Sequence, residues 1–246
     1  MQRKRWVCLA VLGYCAAFAQ SPQSTECLEM DIAVLADMSG SVTNFSQFIW
    51  DAASVIPERY ELGENKVRLS LIRFNSDATL LTPLTGDRKA YLGKIAQTRT
   101  LLPSGSTNID RALTLAKSEF DASPRRVLRA IILISDGDST DGRGREFERS
   151  IADAFKAGGG LVIAVQTPPP TLTPALSPAD LDWDGMDWDA KPPRPRSNFM
   201  PSTGTTPEEW ESWKEHMRAL SSPGLFFEED YETLSELMRE LIIPCI

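Results

Sequence analysis

Residues 30–41 read MDIAVLADMSGS, and the first half of this stretch decides the fold. Ile32, Ala33, Val34, Leu35 and Ala36 run without polar alternation, which suits a strand covered on both faces of a parallel sheet. The run ends at Asp37, and Ser39, Gly40 and Ser41 follow at once. A core strand thus delivers one carboxylate and two hydroxyls to the loop at its C-terminal edge, where open α/β sheets hold their ligands. These groups are all oxygen donors, the chemistry of a hard cation such as Mg²⁺.

Working outward, Phe45, Phe48, Ile49, Ala52 and Ile56 recur at helical spacing and predict a helix over 43–60. Pro57 fits a terminating turn there better than a helix interior. Residues 66–75 (KVRLSLIRFN) and 78–84 predict two strands, joined through Asn75-Ser76-Asp77 as an antiparallel hairpin. A helix over 88–97 leads into a loop of turn formers, residues 103–108. A second amphipathic helix carries Ile109, Ala112, Leu113, Ala116 and Phe120. Residues 127–134 (VLRAIILI) form another strongly apolar strand, closed by Ser135-Asp136-Gly137. A helix through Phe147, Ile151, Ala154 and Phe155 precedes the last buried strand, 161–165. Helix signals return at Pro207, with Glu208 and Glu209 in the first turn. A short strand at 225–227 and a closing helix through Leu234, Leu237, Met238 and Leu241 complete the chain. Strands alternating with helices in this way predict an α/β fold: a doubly wound, mostly parallel sheet flanked by helices on both faces.

The chain has 246 residues, enough for one domain or at most two, and a net charge of −8, which argues against a nucleic-acid surface. Residues 1–19 stand apart. Arg3, Lys4 and Arg5 precede an apolar run from Trp6 to Phe18 that ends in Ala17-Phe18-Ala19, the pattern of a signal peptide. A lipid-anchor cysteine at Cys15 is the rival reading, with Tyr14 too bulky for the usual small residue before it. The mature chain, 20–246, is therefore expected to be secreted or extracellular, periplasmic if bacterial, with no later membrane span. Cys27 and Cys245 then remain at its two ends and read as one disulfide in an oxidising compartment; two unrelated free thiols are the alternative.

Residues 167–207 break the rhythm, with 10 of the 17 prolines and five closely spaced aspartates. This stretch reads as an insertion loop within the domain. Residues 180–191 partly resemble a calcium loop of the D-x-D-x-D-G type, but Lys191 stands where the twelfth-position glutamate belongs. A disordered, proline-stiffened decoration is the plainer reading. Trp183, Trp188 and Phe199 in it are residues that anchor partners, so the insertion is expected to help set partner choice.

Three loops converge on one sheet edge and supply DMSGSV (37–42), SGSTNIDRAL (104–113) and ILISDGDS (132–139). The ordered set resembles the metal-ion-dependent adhesion site of von Willebrand factor type A domains, over nearly all of the span 27–245. The resemblance implies that Asp37, Ser39, Ser41, Thr107 and Asp136 hold Mg²⁺, with Mn²⁺ or Ca²⁺ as alternatives. In it the serines and the threonine bind directly or nearly so, while the carboxylates act largely through water. It implies a binding and adhesion module rather than an enzyme, engaging a protein partner through a metal-bridged carboxylate. It also gives the expected disulfide a consequence: pinning the C-terminal helix, whose sliding is the switch in some members, would keep affinity nearly fixed.

Other readings stay open from the residues alone. The polar groups could merely cap helices and turns. Ser39 or Ser139 as a nucleophile would need a positioned base, and His216, the one histidine, reads as a solvated helix residue. There is no Gly-x-Ser-x-Gly elbow and no phosphate loop. A Mg²⁺-dependent hydrolase or phosphotransferase acting at Asp37 is the enzymatic alternative. A structural extracellular domain whose ion only stabilises the fold is the third.

Overall fold

The apolar run at 32–36 lies in β1 (Met30–Asp37), every residue of which is buried. A computed structural model of the protein describes residues 29–43, 45–137, 139–167, 206–241 and 243. The expected signal peptide, the Cys27–Cys245 pair and almost all of the 167–207 insertion, its 180–191 loop included, lie outside these residues. After β1 come a 3-10 turn at Gly40–Val42, α1 (Ser46–Arg59), β2 (Val67–Phe74), β3 (Ala78–Thr85) and α2 (Arg88–Thr98). The chain continues through α3 (Ile109–Ala122), β4 (Leu128–Ser135), α4 (Arg145–Ala157) and β5 (Leu161–Gln166). It closes with α5 (Pro207–Leu220), β6 (Phe226–Glu228) and α6 (Leu234–Glu240).

The strands form one sheet in the order β3-β2-β1-β4-β5-β6, with β2 and β3 antiparallel and every other pair parallel. The Asn75-Ser76-Asp77 hairpin forms as read, and Phe74 faces Ala78 across it. From β1 the order runs outward in both directions, so the switch point lies between β1 and β4, where α/β sheets open their binding crevice. Period two sends alternate side chains to opposite faces. Ala33 and Leu35, with Phe74, Leu133 and Ala164, pack under Phe120, Phe155 and Leu220 of α3, α4 and α5. The opposite face carries α1, which packs on β1 and on α6. Among the described residues, no helix is long and apolar enough to cross a membrane.

Two details depart from the sequence reading. Pro57 lies inside α1 rather than ending it. A helical proline removes one bond, to the carbonyl four residues back, and the hydroxyl of Tyr91 takes that carbonyl of Ala53 at 3.4 Å. The second detail is Asp31, a charged residue fully buried in β1. It receives Arg68 at 3.0 and 2.7 Å and Arg125 at 2.8 Å, at the sheet edge opposite Asp37. The hydrogen bonds from Arg68 raise that guanidinium's pKa above its ordinary value, against the opposing effect of burial. Removing one partner from such a cluster strands the others. Asp31→Ala is expected to cost about 3 kcal/mol of unfolding free energy, measured by urea titration.

Candidate metal centre

Asp37 ends β1 with both carboxylate oxygens engaged. Its Oδ1 accepts the Ser39 N–H at 2.8 Å, and its Oδ2 accepts the Ser135 hydroxyl at 2.6 Å. The Ser135 oxygen accepts the Gly137 N–H at 3.0 Å in turn. The carboxylate therefore clamps the loop after β1 to the end of β4 and aims Ser39. The hydroxyls of Ser39 and Ser41 stand 3.0 Å apart, Ser39 buried and Ser41 exposed. Two oxygen ligands at right angles on Mg²⁺, each at about 2.1 Å, are separated by about 3.0 Å. The serine pair is within hydrogen-bond reach, either hydroxyl donating, and close enough for both oxygens to serve one cation.

Thr107 is buried in the loop before α3. Its N–H donates to the Thr140 hydroxyl at 3.0 Å, and its carbonyl accepts the N–H groups of Thr140 and Asp141 at 3.1 and 3.0 Å. The same loop is tied to the first one: the Ser104 N–H donates to the Met38 carbonyl at 3.0 Å, and the Gly40 N–H to the Gly105 carbonyl at 2.9 Å. Gly105 has φ +83, and a Cβ there would sit 2.5 Å from the Ser76 hydroxyl. Only glycine fits that close approach. Asp136 is buried just past β4, and its carbonyl accepts Nε2 of Gln166 at 3.0 Å. Asp37, Ser39 and Ser41 are thus joined by direct contacts, and the loops carry Thr107 and Asp136 to the same sheet edge. The donor set is two carboxylates and three hydroxyls, all oxygen, which fits a hard divalent cation. Among the described residues, no three His, Cys, Asp or Glu groups come together to hold a metal in another way.

Three further residues at this edge escaped the sequence reading: Ser135 and Gln166, already described, and Tyr231. Tyr231, between β6 and α6, is buried and stacks on Phe45 with ring centroids 4.2 Å apart. Burial pushes its hydroxyl well above the ordinary phenol range, and the charges of Asp136 and Asp37 add to this. Tyr91 is raised by burial alone. Phenols held protonated in the folded chain contribute stability below the unfolded pKa of about 10 and lose it as pH rises further. Stability should therefore stay level towards pH 10 and fall above it. An ultraviolet titration should show both tyrosines ionising only with unfolding.

His216 corrects an expectation. It is 0% exposed, not solvated, and its Nε2 lies 2.5 Å from Oε2 of Glu148, which is equally buried. Glu148 Oε1 accepts the hydroxyl of Ser139, from the loop that follows Asp136. The carboxylate sits between serine and imidazole. In a Ser-His-Asp triad the imidazole stands between serine and carboxylate, so the order here is not that of a triad. The three groups instead link α4, α5 and the loop after β4.

Solved structures with this fold include proximal thread matrix protein 1 from the mussel byssus, at TM-score 0.61 and 18% identity over 87% of this chain and 46% of that one. That protein has also been solved with a zinc-occupied MIDAS motif, the metal-ion-dependent adhesion site. The manganese-loaded TRAP protein of Plasmodium vivax matches at TM-score 0.58 and 14% identity, over 89% of this chain and 76% of that one. The pilus adhesin SpaC of Lactobacillus rhamnosus GG matches at TM-score 0.60 and 16% identity, over 86% and 29%. The chain spans less than half of the mussel protein and under a third of the adhesin. At these identities the likeness is one of fold. The family model reaches further: the von Willebrand factor type A domain model matches residues 31–178, more than half of the chain, from β1 through the loops of Ser39, Thr107 and Asp136. By that match the chain belongs to the von Willebrand factor type A domain family.

Proposed function

We propose that the protein is an exported binding module that holds Mg²⁺ at Asp37, Ser39, Ser41, Thr107 and Asp136 and engages a protein partner there. The observation that carries this reading is the Ser39–Ser41 hydroxyl pair, 3.0 Å apart at the switch point of the sheet. Ser39, Ser41 and Thr107 would hold the ion, and Asp37 and Asp136 would orient hydroxyls and waters around it. When bound, the ion supplies an open position of largely uncompensated positive charge, which a partner's carboxylate can fill. Hydroxyls leave that charge intact where a carboxylate cage would neutralise it. The manganese- and zinc-loaded relatives support a divalent ion, and the adhesin supports a binding role. The basic, apolar and small-residue pattern of residues 1–19 supports export.

The test is capture of partners from the native milieu by the immobilised full chain, in Mg²⁺ and in EDTA, with Thr107→Ala beside the wild type. Capture should require Mg²⁺ and fail in the variant. Equal capture in EDTA, or metal-dependent turnover of a phosphoester panel, would contradict the reading.

A further inference from the structure

Between Asp136 and the start of α4 the chain makes a surface loop that clasps Thr107. Thr140, Asp141, Gly142 and Arg143 in it are all exposed. Gly137, Gly142 and Gly144 take positive φ, so the loop has little stiffness of its own. Yet Thr140 and Asp141 are the residues that hold Thr107, through its N–H at 3.0 Å and its carbonyl at 3.1 and 3.0 Å. Two buried carboxylates take this segment at either end. Asp110 of α3 accepts the Arg143 N–H at 2.7 Å, and Glu148 of α4 accepts the Ser139 hydroxyl. His216 of α5 fixes the other oxygen of Glu148, its Nε2 2.5 Å away. The next residue on α5 presses on the loop as well: a Cβ on Gly137 would lie 3.1 Å from Cγ of Met217.

We infer that Glu148, fixed by His216, is a positioning residue of the metal site and acts on it through Ser139. The inference rests on the metal-site reading above. Stability alone does not call for a charged group between α4 and α5, because a well-packed apolar pair would stabilise that contact as well. A leucine, however, offers the Ser139 hydroxyl no acceptor. With the acceptor in place, residues 139–141 are tied to the helix layer, and the clasp on Thr107 has a fixed base. Without it the clasp moves with exposed, glycine-jointed chain, and the oxygens meant for one ion lose their register. Groups that orient the ligands of a metal in this way contribute about ten- to a hundredfold in affinity.

The experiment titrates Mg²⁺ calorimetrically into the full chain and follows amide hydrogen exchange in the metal-free protein. Ser139→Ala should weaken Mg²⁺ binding by about tenfold and speed exchange of the Thr107, Thr140 and Asp141 amides by a similar factor. Ser139→Thr, which keeps the hydroxyl, should restore both. The double variant Glu148→Leu, His216→Leu should regain most of the stability that its single alanine counterparts lose, yet bind Mg²⁺ as weakly as Ser139→Ala. Asp31→Ala, destabilised at the opposite sheet edge, should bind Mg²⁺ as the wild type does. Wild-type affinity and exchange in Ser139→Ala would overturn this inference and leave the metal site standing, as would affinity restored together with stability in the double leucine variant. Equal weakening in Asp31→Ala would also overturn it, since affinity would then follow stability wherever it is lost. A wild type that binds no Mg²⁺ would overturn the metal-site reading itself, and this inference with it.

Discussion

Thr107→Ala is expected to weaken Mg²⁺ binding by at least about a hundredfold, and Asp37→Ala by about ten- to a hundredfold, in calorimetric titrations of the folded protein. The difference follows from their roles. Thr107 would contribute an oxygen to the ion, whereas Asp37 positions the groups that do. Thr107→Ala is also the cleaner variant, because the bonds that hold its loop run through backbone atoms and through Thr140. They survive loss of the side chain. Asp37→Ala removes the acceptor of the Ser39 N–H and of the Ser135 hydroxyl, both buried, so it should lose about 1–3 kcal/mol of stability as well. Asp37→Asn keeps the shape and separates the two effects. Wild-type titrations in both alanine variants would remove the metal assignment.

Glu148→Ala and His216→Ala should each lower unfolding free energy by about 3–5 kcal/mol. Either change leaves the other member buried at 0% exposure without the partner that satisfies it. In the glutamate variant the Ser139 hydroxyl loses its acceptor too. Replacing both residues by leucine should recover much of the loss, since apolar groups leave nothing unsatisfied. Urea unfolding of the two single variants and the double variant gives the coupling directly. Single losses under about 1 kcal/mol would show that the contact holds nothing together.

The sheet, and the edge at which Asp37 lies, were legible in the sequence for the same reason, while the five-residue candidate site rests on the family resemblance. An apolar run without alternation requires cover on both faces, so the run at 32–36 had to be a central parallel strand, and Asp37 had to lie at its ligand edge. The strand and helix set follows the reading to within a few residues at each end. The buried charges were not legible. Asp31 looks like the polar start of a strand until Arg68 and Arg125 arrive from distant segments. Glu148 does fall on the buried stripe of α4 with Ala152 and Phe155, which is a signal. Its partner His216 lies beside Met217 on α5, and nothing local says that the two helices meet. Tyr231 was missed likewise, because its packing on Phe45 joins segments nearly two hundred residues apart.

The most direct test of the metal site is a crystal of the full chain grown with Mn²⁺ and measured for anomalous scattering. Mn²⁺ takes oxygen ligands and stands in for Mg²⁺ while being visible by its own signal. One anomalous peak is expected about 2.2 Å from the hydroxyl oxygens of Ser39 and Ser41, on the side of Thr107. A crystal with its Mn²⁺ peak elsewhere, or with no peak at that edge at saturating Mn²⁺, would contradict the account.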